Sequence, residues 1–207
     1  FQVTLDLSAG RLSGPSLGSA RVNDKTAACQ AASLPRGALR IADLGYFVLS
    51  SLAAMNAEGV YWLSRMSMQV QIIDERTGRE IDLPAFLAKQ AAGEINIYVL
   101  AGKVERMRCR LLGVRVPPEV AAERRRKMLA NGRDRCRPIK PRRLLLADWA
   151  LLLTNAPPEM LSLPEAQALY RARWQIEMLF KLWKSYGRIA RWRSRKPMRI
   201  LCEVYAK

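Results

Sequence analysis

The sequence predicts an α/β protein. Short apolar strands alternate with helical segments in residues 1–66, a strand-rich block occupies residues 67–146, and one strand followed by a long amphipathic helix closes residues 147–207. These three stretches are the expected domain organisation: two parts of one α/β core, separated by a β-rich insertion and a basic linker.

Each element has a local reason. Residues 2–7 alternate, with Val3, Leu5 and Leu7 on one side; Ser8-Ala9-Gly10 is a turn signal and residues 11–17 return, which predicts a β-hairpin. Asn23-Asp24 suits the cap of a short helix ending near Ala32. Residues 38–42 form a short apolar strand ending at Asp43; Gly45 follows, residues 46–55 have helical spacing, and residues 60–63 read as another strand. In the middle block, residues 69–73 and 79–81 flank Glu75-Arg-Thr-Gly78 as a second hairpin, residues 83–91 suit a short helix, and residues 95–100 and 103–114 pair around Ala101-Gly102. After Pro117-Pro118, residues 119–129 predict a helix, residues 148–154 a strand and Asn155-Ala-Pro-Pro158 a turn. One helix then runs from about Leu163 to about Tyr186.

Composition narrows the function. The 207 residues carry 35 Lys and Arg against 18 Asp and Glu, a formal charge of +17, which points to a polyanion and most plainly to nucleic acid. No apolar run is long enough for a membrane span. With no histidine, Ser-His-Asp and Cys-His catalysis and His-ligated zinc are excluded. Cys29, Cys109, Cys136 and Cys202 are isolated, so no zinc ribbon or disulfide framework is expected. The chain opens at Phe1 in what reads as mid-strand, and both of its ends are expected to be truncated.

The densest chemistry lies in the last helix. Tyr170, Arg173, Glu177 and Lys184 fall within a stripe about 60° wide at 100° per residue. Leu169, Ile176, Leu179, Phe180 and Trp183 cluster about 100° away as the expected buried face. One carboxylate thus shares a face with two cations and a phenol, a pattern suited to metal-assisted chemistry on a phosphate backbone. The ordinary alternative for Glu177 is a surface pair with Arg173 or Lys181, four residues before and after it. Asp43, at the end of a strand, can reach a ligand beyond the sheet; its ordinary alternative is a capping or turn-forming Asp. The stretch 124–143 holds ten Lys or Arg, including Arg124, Arg125, Arg126, Arg142 and Arg143, against one Asp. It reads either as a flexible segment tracking phosphates or as a solvated linker, and Gly132, Pro138 and Pro141 argue against one continuous helix through it. Residues 181–199 add eight bases and no acid, with Arg191-Trp-Arg193 interleaving charge and stacking.

The spacing Y-x2-R-x3-E-x6-K over Tyr170, Arg173, Glu177 and Lys184 resembles the Y-R-E-K signature of bacterial insertion-sequence transposases, the IS-four type of the DDE class. Ala42-Asp-Leu-Gly-Tyr-Phe47 is similar to the segment carrying that family's second catalytic Asp, Gly59-Val-Tyr-Trp-Leu-Ser-Arg65 to the strand after it, and residues 149–157 to the strand before the Glu helix. The resemblance implies an RNase H-like catalytic core with a β-rich insertion. It also implies two divalent ions, Mg2+ or Mn2+, held by three carboxylates for cleavage and strand transfer at insertion-sequence ends. Carried over, Asp43 is the second carboxylate and Glu177 the third. Tyr170, Arg173 and Lys184 contact phosphates near the transposon end, and Trp149 either stacks on a flipped base or is a core residue. The implied partners are double-stranded DNA, both transposon ends and target, and a second copy in a homodimer on paired ends; the implied setting is the bacterial cytoplasm at the nucleoid, with no membrane. Asp6 falls in what reads as the second strand and Asp24 as a cap, so the first catalytic Asp and the first core strand are expected to be missing and this fragment inactive alone. The alternative is a non-catalytic, basic DNA-binding remnant of a decayed mobile element.

Overall fold

The computed structural model describes residues 2–16, 34–134, 136, 138–186, 193–194 and 196–206. It divides into two compact units, Leu34–Gln167 and the pair of segments Phe1–Ser33 and Ala168–Lys207. The helix expected from Asn23-Asp24, and Arg191-Trp-Arg193 except for Arg193, lie outside the described residues.

The larger unit is built on a six-stranded mixed sheet. Its strands are β3 (Leu39–Ala42), β4 (Tyr61–Arg65), β5 (Ile72–Asp74), β6 (Glu94–Ala101), β7 (Met107–Arg115) and β8 (Trp149–Thr154). Their order is β3-β4-β8-β7-β6-β5. β3 and β4 are parallel, joined through helix α1 (Leu49–Glu58), and every other pairing is antiparallel. Gly59 ends α1 with φ 72°, a left-handed conformation that costs glycine little and turns the chain directly into β4. The alternation along the strands sets the core. Trp62, Val99, Cys109, Leu111, Leu151 and Leu153 belong to one buried cluster that includes Leu52 and Met55 of α1 and Leu83 and Leu87 of α2 (Leu83–Ala88). Leu63, Leu112 and Leu152 are buried on the opposite face.

The middle block does not form a sheet of its own. β7 pairs with β8 from Arg110↔Thr154 to Arg115↔Trp149, so the strands of residues 67–146 widen the sheet that begins with β3 and β4. The expected second hairpin is reduced to β5 and a single bridge, Ile73↔Glu80. The basic stretch departs further from expectation. Helix α3 runs unbroken from Pro118 to Asp134 and includes Gly132. A glycine in a helix costs only about 1 kcal/mol, and Gly132 is buried, so packing overrides the weak local preference. The helix ends at Asp134, and α4 (Pro141–Leu144) starts with Pro141 in its first turn.

In the smaller unit, β1 (Gln2–Asp6) and β2 (Arg11–Ser16) form the expected antiparallel hairpin. Asp6 Oδ1 accepts from the Ser8 amide at 2.9 Å, the Ser8 hydroxyl at 2.6 Å and the Ala9 amide at 3.1 Å. Asp6 is therefore a turn-forming residue. The expected long final helix is two helices, α5 (Leu163–Ala172), whose residues up to Gln167 belong to the larger unit, and α6 (Trp174–Ser185), followed by α7 (Pro197–Ala206). They meet at Arg173, whose carbonyl accepts from the Ile176 amide three residues on, a tighter turn than the α-helical four. The expected buried face is only half covered: Leu169, Ile176, Leu179, Phe180 and Trp183 are all intermediate, and α6 has no buried residue. Phe180 and Trp183 instead pack edge to face at 5.9 Å.

Candidate functional site

Asp43 follows β3 immediately and stands before the 3-10 turn Leu44–Tyr46. It stands at the N-cap of that turn and its carbonyl accepts the Tyr46 amide at 2.9 Å, as the turn-forming alternative expects, but its side chain makes no capping hydrogen bond. The carboxylate is exposed. Ala42 is in register with Ser64, which sets Asp43 level with Arg65 at the carboxyl ends of two parallel strands, the position where open α/β sheets bind ligands.

The helical stripe forms as a connected array. Arg173 Nη1 lies 2.8 Å from Glu177 Oε1, and the Arg173 guanidinium sits over the Tyr170 ring at 5.4 Å. Lys184 is exposed in the last turn of α6, where the helix dipole favours a cation. The ordinary pairing of Glu177 is thus present, to Arg173. It is compatible with a functional role: Glu177 is 45% exposed, and a pair of that exposure is worth about 0–1 kcal/mol, a small cost to exchange for a phosphate or a cation. Lys181 instead lies over the Trp174 ring at 5.6 Å. Asp43 belongs to the larger unit and Tyr170, Arg173, Glu177 and Lys184 to the smaller.

The basic stretch is more occupied than its composition suggests. Arg124 Nη1 donates to the Trp149 carbonyl at 3.0 Å. Arg125 pairs with Asp148, Arg126 with Glu123, and Arg142 with Asp82 of the α2 cap. Arg143 is exposed and has no side-chain partner among the described residues. Helical order and these pairs replace the expected flexible segment. Trp149 is 4% exposed, belongs to the core cluster and carries the Arg115 guanidinium 5.4 Å from its ring. The core alternative describes it; the ring is not offered to a base.

Three features went unread in the sequence. Arg110 is fully buried on β7. Its Nε and Nη2 donate to Asn96 Oδ1 at 3.1 and 3.0 Å, and its Nη1 donates to the carbonyls of Ala156 and Leu161 at 2.9 and 2.8 Å. It thereby fastens the segment between β8 and α5 to the sheet. Burial holds its guanidinium below the ordinary arginine pKa. Asn155 does similar work: its side chain accepts the Trp62 amide at 2.7 Å and donates to Asn56 Oδ1 at 2.6 Å and the Val60 carbonyl at 2.9 Å. Ser162 and Glu165 form a capping box at the start of α5, with Glu165 Oε2 accepting from the Ser162 amide at 2.8 Å and hydroxyl at 2.6 Å. The S-x-x-E spacing before an apolar run was the available signal.

A metal demands more than these carboxylates. Among the described residues no three His, Cys, Asp or Glu side chains gather into a group able to hold an ion. Among the same residues, no helix is long and apolar enough to cross a membrane.

Residues 2–207 match the family model described as Transposase DDE domain. The transposase for insertion sequence element IS231F of Bacillus thuringiensis subsp. israelensis is 30% identical over 225 residues, spanning 100% of this chain and 47% of its own length. The transposase for IS231E of Bacillus thuringiensis subsp. finitimus is 29% identical over the same shares, and that for IS1151 of Clostridium perfringens is 24% identical over 82% of this chain and 39% of its own length. The chain spans about half the length of the curated relatives it matches. An exposed acid at the end of β3, a Tyr-Arg-Glu array on α5 and α6, a charge of +17 and a family match across nearly every residue agree: the chain belongs to the transposase DDE domain family.

Proposed function

We propose that this chain is part of the catalytic domain of an insertion-sequence transposase of the IS-four type, acting on double-stranded DNA by strand cleavage and strand transfer. The observation that carries the reading is the array of Tyr170, Arg173 and Glu177, with Lys184 further along the same helix, in a chain matched end to end by the family. Asp43 and Glu177 serve as the second and third carboxylates; Tyr170, Arg173 and Lys184 hold phosphates of the transposon end. Arg143 adds a phosphate contact, Arg124 adds one from its place beside the Trp149 carbonyl, and Arg125, Arg126 and Arg142 add theirs as far as the acids paired with them release them. Trp149 has no stacking role in this proposal.

The core is RNase H-like in this reading. Supporting it are the antiparallel hairpin β1-β2 upstream, the parallel pair β3-β4 with an acid at its carboxyl end, and β8 leading into the glutamate helix. Residues 67–146 are the insertion and basic linker, their strands added to the core sheet. β3 is an edge strand of the sheet among the described residues, which leaves a side for a further core strand carrying the first Asp. Two divalent ions supply nucleophile activation and charge stabilisation in such chemistry. Two carboxylates alone do not hold them, so the chain binds DNA without cutting it, and the complete protein acts as a dimer on paired ends.

The test is direct. Incubated with supercoiled plasmid and Mg2+ or Mn2+, the 207-residue chain leaves the plasmid intact while retarding duplex DNA in preference to RNA. Preference for RNA would overturn the proposal. A metal-dependent nick abolished by Glu177→Ala would show that the carboxylates present suffice, and would overturn the inactivity of the fragment.

A further inference from the structure

A second cationic group stands at the same end of the sheet as Asp43. Arg65 is the last residue of β4, exposed, and opposite Leu152 of β8. Arg124 reaches over from α3 and is anchored at the start of β8 by its bond to the Trp149 carbonyl. The carboxylate nearest in sequence to that anchor, Asp148, is taken by Arg125. Neither Arg65 nor Arg124 makes an ion pair with any acid among the described residues. Two like charges brought together with neither in an ion pair among the described residues raise the free energy of the site, and an anion placed between them relieves it. The two guanidinium groups do sense each other: burial, and then the charge of Arg65, hold Arg124 below the ordinary arginine pKa.

We propose that Arg65 and Arg124 form a seat for one backbone phosphate of DNA at the carboxyl end of β4, beside Asp43. The division of labour follows from the geometry. Arg124 is preorganised, with one Nη committed to the Trp149 carbonyl and the rest of its fork left for an oxygen of the ligand. Arg65, exposed at the end of β4, supplies the second guanidinium to the phosphate. A phosphodiester fits better than a carboxylate-bearing protein partner, because the chain as a whole carries +17 and its two edge-on neighbours Asp43 and Arg65 offer one acid and one base rather than an apolar surface. The seat holds a phosphate level with the Asp43 carboxylate, one strand away, so it positions the DNA strand at the acid.

The proposal rests on the DNA reading above, and one titration separates the two. A fluorescently labelled duplex is titrated with the full 207-residue chain at a series of salt concentrations, and the slope of log K against log salt is read. Arg65→Ala is expected to flatten that slope by about one contact, ~0.9 in the slope, and Arg65→Lys to restore most of it. Arg76→Ala, an exposed arginine in the turn after β5, is expected to leave the slope unchanged. Arg65 is exposed, so its variants should keep the thermal unfolding midpoint of the parent. A wild-type slope in Arg65→Ala, from a chain that binds DNA, overturns the seat and leaves the DNA reading standing. Absence of duplex binding by the parent chain overturns both.

Discussion

Replacing Arg110 by Met should unfold the larger unit far more easily than any surface change. Arg110 is fully buried, and its four hydrogen bonds end on Asn96 Oδ1 and on the carbonyls of Ala156 and Leu161. Methionine fills much of the same volume but donates nothing, so two buried carbonyls, of Ala156 and Leu161, and the partly buried Asn96 Oδ1 lose their donor. An unsatisfied buried acceptor costs about 1–3 kcal/mol. The saving from no longer burying a guanidinium offsets part of that, as in other replacements of buried charges by apolar groups. The expected net loss is about 3 kcal/mol, or roughly 6–12 °C in Tm for a chain of this size. Urea titration followed by tryptophan fluorescence gives the free energy, with Arg108→Met as the control, since Arg108 projects from the same strand face but is exposed and pairs with Glu75 at 2.5 Å. An Arg110→Met variant within about 0.5 kcal/mol of the parent would refute the claim that this side chain fastens the segment between β8 and α5.

Other outcomes follow from the same geometry. Asp148→Asn should release Arg125 and tighten duplex binding several-fold, measured by anisotropy, with a stability change below about 1 kcal/mol, because the pair it removes is partly exposed. Ser162→Ala should cost about 1 kcal/mol through loss of the α5 cap, read by thermal unfolding. The cap also gives α5 a pH dependence. The Ser162 side chain and amide hold the Glu165 carboxyl below its ordinary 4.5, so its contribution is complete above that value and is lost as pH falls through the lowered pKa; circular dichroism between pH 6 and pH 2 should show the loss in the parent and a weaker one in Ser162→Ala. Cys109 is buried and its thiol pKa is pushed up to about 12, so an aromatic disulfide reagent at pH 8 should modify exposed Cys136 and Cys202 in the native chain and reach Cys109 only after unfolding.

What was legible in the sequence was local. The β1-β2 hairpin, β6, β7 and β8 follow from alternation and turn residues close by, and the Tyr170, Arg173, Glu177 and Lys184 spacing survives the change of helix at Arg173 because that residue keeps helical dihedrals. What was not legible depends on partners distant in the chain. The pairing of β7 with β8 makes the middle block part of one sheet, and alternation within β7 says nothing about which strand it will meet. The arginines of α3 look like free phosphate contacts until Asp148, Glu123 and the Trp149 carbonyl are found beside them. Trp149 reads equally as a stacking platform or a core residue, and burial against the sheet decides it. Arg110 shows the same limit from the other side. It shares a face of β7 with Arg108, but Arg108 is exposed against Glu75 while Arg110 is sealed by a loop more than forty residues away in sequence.

The central claim is that this chain grips duplex DNA through the face bearing Glu177 and the sheet end bearing Asp43. The most direct measurement is anisotropy of a labelled duplex and of a labelled single-stranded RNA of equal length, each at 50 mM and 200 mM salt, with the parent chain and with Arg173→Ala and Lys184→Ala together. If Arg65, Arg143, Arg173 and Lys184 each neutralise one phosphate, duplex affinity should fall about 100-fold across that salt range. The double variant should lose about half of that dependence on a logarithmic scale, and the duplex should outcompete the RNA. Equal salt dependence in parent and double variant, or tighter binding to RNA, would contradict the account.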